Sequence, residues 1–436
     1  MFGYYLKLAL QNLRRNVWVT VLMILAISAG IGASMTTLAL YQAMSGDPIS
    51  NKSHQLFVVQ VDNWGPDNQA GEQNEDHLKE YLSYIDASAL MKARAAKHQT
   101  LIYTTYLKAR SSPGEKPVGA AVPAVYSDFF AMLDAPFKYG RAWSSADDQA
   151  GAPVIVLSRK LNDKLFAGAN SVGKTLDIGD VPYRVVGVLN DWPLVPRFYD
   201  LHVAPFGNVD EMFIPFNRAI EAQAPTVSGT SCKDPRRPGW QALLNSECVW
   251  VQLWAEVPAT DIAAFRHFVN NYATDQQRAG RFHWPAHTQV RDVMQWLKYR
   301  HAVPGQLGIL LLASFGFLFV CLMNAMGLML AKTIGHTQDI SVRRALGASR
   351  RAIALQSLIE TSVVGVVGAG IGLLITILGV SAIRVVLADR YAALAYLDAR
   401  VVVIEVICAM IATVVAGLYP TWRAAWIEPA LQLKVE

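Results

Sequence analysis

The chain has 436 residues, 53% of them hydrophobic and only 17% charged, with a formal net charge of +5. A soluble globular domain carries about 25% charged residues, so this composition argues against a wholly water-soluble protein. The positive balance does not point to nucleic acid either, because residues 46–304 show no basic face interleaved with aromatics.

The charge deficit is concentrated in four apolar stretches, 17–41, 307–331, 362–387 and 401–419, each close to the ~20 residues that cross a hydrocarbon core. Residues 2–16, ahead of the first, read as an amphipathic helix. Leu6, Leu10 and Leu13 recur at helical spacing beside Lys7, Arg14 and Arg15. The first stretch is too long for the ~7–15-residue core of a secretory signal, and residues 41–47 make a poor cleavage site, so a retained anchor is expected. It contains Ala26, Ala29, Gly30, Gly32 and Ala33, small residues that let membrane helices approach closely.

The block that follows has mixed periodicity. Strands are expected at 56–61, 101–110, 119–125, 154–157, 176–178, 183–189 and 249–257, and helices at 83–97 and 261–272. Residues 290–299 read as a helix continuing into the second span. This mixture predicts an α+β domain. Residues 192–247 are rich in Pro and aromatics and read as an elaborated loop region or second lobe, reaching about residue 248. Cys232 and Cys248 fall there. On the outer side of a membrane they are expected to form a disulfide. Cys321 and Cys408 sit inside apolar stretches and act as small hydrophobes.

Between the second and third stretches, Lys332, Arg343, Arg344, Arg350 and Arg351 face a single acid, Asp339. Basic residues near span ends remain cytoplasmic. Lys7, Arg14 and Arg15, with Arg423 and Lys434, place both termini on that side and leave the 46–304 block outside. Asp339, Ile340, Val342, Arg343, Arg344 and Leu346 form a short amphipathic helix ended by Gly347. Ser349 is placed to cap the next helix, which starts at Arg350 and Arg351. Such a helix, held between two spans, is a natural place for a soluble partner to push. In the third span Gly368 and Gly372 make a G-x-x-x-G pair that favours close helix contact. Arg384 and Glu405 fall at similar outer depth and read as an intramembrane structural pair. Glu360, at the inner end of the third span, is read as a charge at the interface.

The predicted layout is a multi-pass membrane protein with four transmembrane α-helices in a 1+3 arrangement and a large α+β domain inserted between the first two. Its boundaries are an N-terminal amphipathic helix (1–16), a first span (17–45), an outer domain (46–304), a second span (305–331), a cytoplasmic coupling loop (332–354), a third span (355–388), a short outer loop (389–400), a fourth span (401–420) and a cytoplasmic tail (421–436).

Gly168 to Thr175 matches the phosphate-loop pattern G-x-x-x-x-G-K-[ST]. That loop needs a buried strand before it and a helix after it. Here a helical stretch, 161–166, precedes and a hairpin follows, on the side away from ATP, so nucleotide binding is not expected. There is no H-E-x-x-H and no G-x-S-x-G, and the nine histidines are scattered; Trp284-Pro285 breaks any helix that would align His283 with His287. No catalytic residue and no metal site is expected.

The run from Gln338 through Arg351, with Met323 to Met326 before it, resembles the cytoplasmic loop of the MacB/FtsX family of ABC transporter permeases. Gly417 through Pro429 is similar to that family's C-terminal signature, and Asn12 to Asn16 to its N-terminal segment. In the outer block, Ser127 to Phe130, Gly140-Arg141, Pro153 to Ser158 and Val172 through Leu189 resemble its MacB-like periplasmic core domain. The resemblance thins over 192–247, and Asp339 and Ser341 stand where the family usually has Glu and Gly.

The resemblance implies a permease that works by mechanotransmission in the bacterial inner membrane, paired with a second permease in a homo- or heterodimer and with an ABC ATPase subunit. The 339–346 helix would dock in that ATPase, with the arginines meeting acidic residues there or anionic membrane lipid. Because the sequence begins at the amphipathic helix, the ATPase is expected to be a separate polypeptide that holds ATP and magnesium, and this chain to be no enzyme. A periplasmic adaptor and an outer-membrane duct are further implied partners, nucleic acid is not, and the expected role is export of a peptide, antibiotic or other amphiphile. The alternatives are lipoprotein or lipid extraction, and regulation of cell-wall hydrolases or signalling without transport.

Overall fold

A computed structural model describes residues 2–65, 78–111, 116–179, 181–192, 194–203, 205–206, 211–233, 238–335, 342, 346–386, 403, 407 and 411. In chain order the elements are α1 (Phe2–Arg15), α2 (Val17–Ser45), β1 (Leu56–Val61), β2 (Leu82–Ser83), α3 (Tyr84–Ala93), β3 (His98–Arg110), β4 (Val118–Val125), α4 (Asp128–Met132), β5 (Phe137–Gly140), α5 (Ser145–Gln149), β6 (Val154–Leu157), α6 (Arg159–Phe166), β7 (Thr175–Ile178), β8 (Val181–Leu189), β9 (Met212–Pro215), α7 (Phe216–Glu221), α8 (Trp240–Leu244), β10 (Val249–Glu256), α9 (Ile262–Arg278), β11 (Thr288–Asp292), α10 (Val293–Tyr299), α11 (Gly305–Gly335) and α12 (Arg350–Val386). They form two compact units, an α+β unit of Gly46–Ala302 and a helical unit of Met1–Ser45 with Val303–Glu436.

The α+β unit is built on one sheet, ordered β11-β1-β10-β3-β4-β9-β6-β8-β5, with β2 beside β10 and β7 joining β3 to β8. Every residue of β1 and β10 is buried, so these strands are covered on both faces. Period-two alternation then sorts their side chains. Phe57, Val59 and Val61 enter one apolar cluster with Val251, Leu253 and Tyr103. Leu56 and Val58 enter the other, an aromatic one containing Phe129, Phe213, Trp254 and Trp296.

Residues 192–247 do not stand apart as a lobe. Trp192, Leu194, Phe198 and Tyr199 are buried in the aromatic cluster. Strand β9 lies inside the sheet, parallel to β4 and antiparallel to β6. Four apolar residues between Pro-rich flanks are too short a signal to read as a central strand. A second correction concerns the lead into the second span. Val290 is not helical; it pairs with Val59 in the β11–β1 ladder. Helix α10 begins after Asp292, which caps it with Gln295 in a reciprocal box, and ends at Tyr299. His301 then takes φ +46 and Pro304 precedes α11. Proline has no N–H to donate and biases the preceding residue away from helix, so α10 and α11 are separate helices.

Cys232 and Cys248 are joined by a disulfide across a separation of 16 residues. Their chain neighbours reach the same turn after β1. Lys233 Nζ donates to the Trp64 carbonyl at 2.8 Å. Asn63 Nδ2 and Trp64 Nε1 donate to the Glu247 carbonyl at 3.0 and 2.8 Å. Burial pushes the Glu247 carboxyl up, against a lowering hydrogen bond from Asn63.

In the helical unit α2 packs on both α11 and α12, and α1 adds buried Ala9 and Leu13. The contacts between α2 and α12 are reciprocal. Ile27 and Ile31 of α2 sit on Gly368 and Gly372 of α12, where an added Cβ would lie 2.9 Å from each isoleucine Cγ2. Ile375 of α12 sits on Gly32 of α2, at 2.6 Å from such a Cβ, and Gly30 lies equally close to Leu318 and Cys321 of α11. Ser34 Oγ donates across to the Ser314 carbonyl at 2.9 Å. Outward, α11 presents Ile309, Leu312 and Phe319 fully to their surroundings. Among the described residues three helices are long and apolar enough to cross a membrane: Val17–Ser45, Gly305–Gly335 and Arg350–Ile383. The fourth predicted span lies outside the described residues except for 403, 407 and 411, which are helical.

Two outcomes follow. Gly32→Leu overpacks the α2–α12 seam and should cost ~1–3 kcal/mol, lowering the unfolding midpoint in detergent, whereas Gly316→Leu, with nothing within 4 Å of its Cβ, leaves that midpoint in place. Replacing both Cys232 and Cys248 by Ser should destabilise the α+β unit by roughly 3 kcal/mol for a loop of this length and speed amide exchange at Trp64 and Gly65; denaturant titration and hydrogen exchange check the two parts.

Candidate functional site

The features that set this chain apart from an inert anchor lie where α11 ends and α12 begins. Val342 is helical, and the Leu346 amide closes a helical turn on the Val342 carbonyl at 3.0 Å. Gly347 follows at φ +97, a left-handed conformation that terminates a helix and that residues with a Cβ rarely adopt. Ser349 Oγ then accepts from the Ala352 amide at 3.2 Å and starts α12. Four residues apart on one helical turn, Val342 and Leu346 share a face. They are 53% and 83% exposed, with no apolar cover from the described residues. Arg350 and Arg351, at the start of α12, are also exposed. The arrangement is a small exposed apolar face between two long helices, followed in the chain by two arginines.

Behind that face the helices are locked. Lys332 Nζ, in the last turn of α11, contacts Glu360 Oε1 of α12. One turn away Thr361 Oγ1 donates to Met329 Sδ at 3.1 Å. Glu360 is therefore buried in an interhelical ion pair, a structural role of the kind its place in the sequence suggested. Sequence reasoning missed this pair because Lys332 and Glu360 are 28 positions apart and each ends a different apolar run. At the other end of the same helices an apolar recess of about 260 Å³ opens between Leu40 and Met44 of α2, Leu307 and Leu310 of α11, and Ile383 of α12.

Other predicted site residues fall out as follows. Asp339, Ile340, Arg343 and Arg344 lie outside the described residues. So does Glu405, and for Arg384 only the backbone, within α12, is described. Gly30, Gly32, Gly368 and Gly372 all lie in the α2 seams, and Cys232 is bonded to Cys248. The phosphate-loop lookalike runs from α6 into strand β7. Its backbone is already engaged: the Gly173 amide donates to the Val185 carbonyl at 2.8 Å, and Lys174 carries its ammonium 5.2 Å above the Phe166 ring. No helix starts there to gather phosphate. Among the described residues no three His, Cys, Asp or Glu side chains are grouped to hold a metal.

In the α+β unit, charged pairs among the described residues tie helices and loops to one another. Arg281 contacts Asp86, which also accepts from Tyr272 at 2.8 Å, and burial pulls the Arg281 guanidinium down to about 10. Near the end of α10, Trp296 Nε1 donates to the Phe198 carbonyl and Tyr299 to the Leu78 carbonyl. Arg300 contacts Glu80, which His202 Nε2 meets at 2.5 Å. Burial lowers the His202 pKa, opposed by nearby Asp200. The residues that lead into α11 are thereby fastened to the sheet unit.

Residues 20–263, more than half of the chain, match the family model of the MacB-like periplasmic core domain. Residues 311–429 match that of the FtsX-like permease C-terminal region. The pyoverdine export ATP-binding/permease protein PvdT of Pseudomonas entomophila (strain L48) is 26% identical over 321 residues, 71% of this chain and 42% of that protein. The macrolide export ATP-binding/permease protein MacB of Azoarcus sp. (strain BH72) is 24% identical over 440 residues, 99% of this chain and 59% of that one. The chain thus spans 42% and 59% of the length of these two curated relatives. A crystal structure of the periplasmic region of MacB from Actinobacillus actinomycetemcomitans is similar at 14% identity and TM-score 0.38, covering 59% of this chain and 97% of that one. With long apolar helices before and after the sheet unit in the sequence, this is a membrane protein with a periplasmic domain, and the chain belongs to the MacB/FtsX family of ABC transporter permeases.

Proposed function

We propose that this chain transmits ATP-driven displacement across the bacterial inner membrane to its periplasmic domain, with both termini cytoplasmic. The observation that carries the reading is the exposed Val342–Leu346 face, closed by Gly347 and followed by Arg350 and Arg351. Bare apolar side chains followed by cations suit a groove with an acidic rim on a soluble subunit. That subunit is an ABC ATPase, which holds ATP and magnesium and performs the hydrolysis; this chain contributes no catalytic group. A push on that face moves α11 and α12. Because α10 and α11 are separate helices, the displacement passes to the sheet unit through residues 300–304, whose near end is held by Trp296, Tyr299 and Arg300.

Work done on the periplasmic side, with a second permease chain as dimer partner, drives export of an amphiphile such as a peptide or antibiotic, through an adaptor and an outer-membrane duct. Two observations support that cargo class. The relatives are named for export of macrolide and of pyoverdine, and the recess beside Leu40, Leu310 and Ile383 is of a size and polarity to accept an apolar group.

The topology is tested with cysteines placed singly at Lys174 and Leu346, both exposed. A membrane-impermeant maleimide should label the first in intact spheroplasts and the second only after permeabilisation; labelling of both from one side ends the reading. Leu346→Glu should weaken co-purification with the ATP-binding subunit at least tenfold, about 1.4 kcal/mol, and an unchanged yield removes the docking assignment.

A further inference from the structure

We propose that Lys52 is a positioning residue: it ties the turn that follows α2 to the end of α4, so that movement of the first span is delivered to the aromatic core of the sheet unit. The transmission part of this rests on the function proposed above. The chain passes from Ser45, the last residue of α2, to Leu56 of β1 through a turn closed on itself. The Lys52 and Ser53 amides donate to the Ile49 carbonyl at 2.8 Å, and the Gln55 amide to the Lys52 carbonyl at 2.7 Å. Asp47 Oδ2 accepts from Ser53 Oγ at 2.7 Å. These bonds are local: they shape the turn without joining it to another element.

Lys52 makes the join. Its Nζ donates to the Ala131 carbonyl at 3.0 Å, to the Met132 carbonyl at 3.5 Å and to Asp134 Oδ1 at 2.6 Å, so the three donors of an ammonium each meet an acceptor. Asn51 Nδ2 donates to Asp134 Oδ2 at 3.0 Å. The buried Glu256 carboxylate lies 4.0 Å from the same ammonium and is itself paired with Lys97 at 2.7 Å. The acceptors are there because α4 stops there. Asp134 takes φ +48, and the Ala135 amide closes on the Phe130 carbonyl at 2.9 Å, a left-handed ending that leaves the last carbonyls for an outside donor. A cation suits that end of a helix. Helix α4 also carries Phe129, whose ring packs on Trp192, Tyr199 and Phe213 in the aromatic cluster. On its other flank the turn meets α10, where the Val293 amide donates to the Ser53 carbonyl at 3.3 Å. The chain's entry into the sheet unit is thus pinned by side chains to a helix rooted in its core.

The clamp is read by amide hydrogen exchange of the full chain in lipid nanodiscs. Lys52→Met keeps the length of the side chain and removes its donors; exchange at the Lys52, Ser53 and Gln55 positions should rise roughly fivefold or more, as the turn opens more often. Lys52→Arg can still reach the two carbonyls and the carboxylate, and should stay within about twofold of the parent. Should Lys52→Met fail to fold, Asp134→Asn takes its place: the residue is half exposed, asparagine accepts the left-handed conformation, and the loss of one charge should raise exchange about threefold. The second arm adds the ATP-binding subunit. It reads the ATP-dependent change in exchange across residues 128–135, expected to fall about threefold or more in the same variant with subunit binding intact, and to recover in Lys52→Arg.

Exchange in the turn that is unchanged without the ammonium, or without its carboxylate partner, overturns the clamp. Faster exchange with an undiminished ATP-driven change overturns its part in transmission. Failure of Lys52→Arg to recover either readout reduces Lys52 to a local packing requirement and also overturns the proposal. A parent chain that shows no ATP-driven change refutes the function proposed above, whereas the first arm, which needs no nucleotide, still judges the clamp itself.

Discussion

Hydrocarbon offers no water to hydrogen-bond a backbone and no hydrophobic gain for bringing two apolar helices together. Helices there associate by close packing, and close packing needs residues small enough to admit a neighbour. The α2–α12 seam is built on that constraint from both sides. Ile27 and Ile31 enter the spaces above Gly368 and Gly372, and Ile375 enters the space above Gly32. The side-chain bond from Ser34 to the Ser314 carbonyl adds one polar contact toward α11. With α2 gripped by both partners, the outward faces are left for large apolar residues such as Ile309, Leu312 and Phe319.

The sheet unit meets a different constraint. In water the hydrophobic effect is available, and the unit uses it on both faces of its central strands, with a mixed aliphatic and aromatic cluster on one side and a largely aromatic one on the other. Its polar groups are spent on fastening. The residues next to Cys232 and Cys248 hold the turn after β1, while Trp296, Tyr299 and Arg300 hold the end of α10. The chain is held to the sheet unit up to residue 300, after which His301 and Pro304 interrupt the helix.

Charge is used sparingly within the helices. Lys332 and Glu360 meet where the apolar bundle ends, while Arg350 and Arg351 remain outside it. The first two are buried against each other, and the other two are exposed. Burial, not residue type, separates the two roles.

Three of the spans and the family were legible in the sequence, because hydropathy and the motif around Gly347 are local properties that survive without knowledge of packing. The strands of β1, β3, β6, β8 and β10 were legible for the same reason: apolar runs of strand length bounded by turn residues. Three things were decided only in three dimensions. Strand β9 became central because the gap between β4 and β6 accepts four apolar residues, which no local pattern announces. The start of α10 was set by the pairing of Val290 with Val59, a contact across 231 positions that keeps that residue in a strand, and the break before α11 by His301 and Pro304. And Glu360 became half of a buried pair because packing set it opposite Lys332. A sequence displays what each segment prefers; which segments end up neighbours depends on long-range packing, and the charge pairing follows from that.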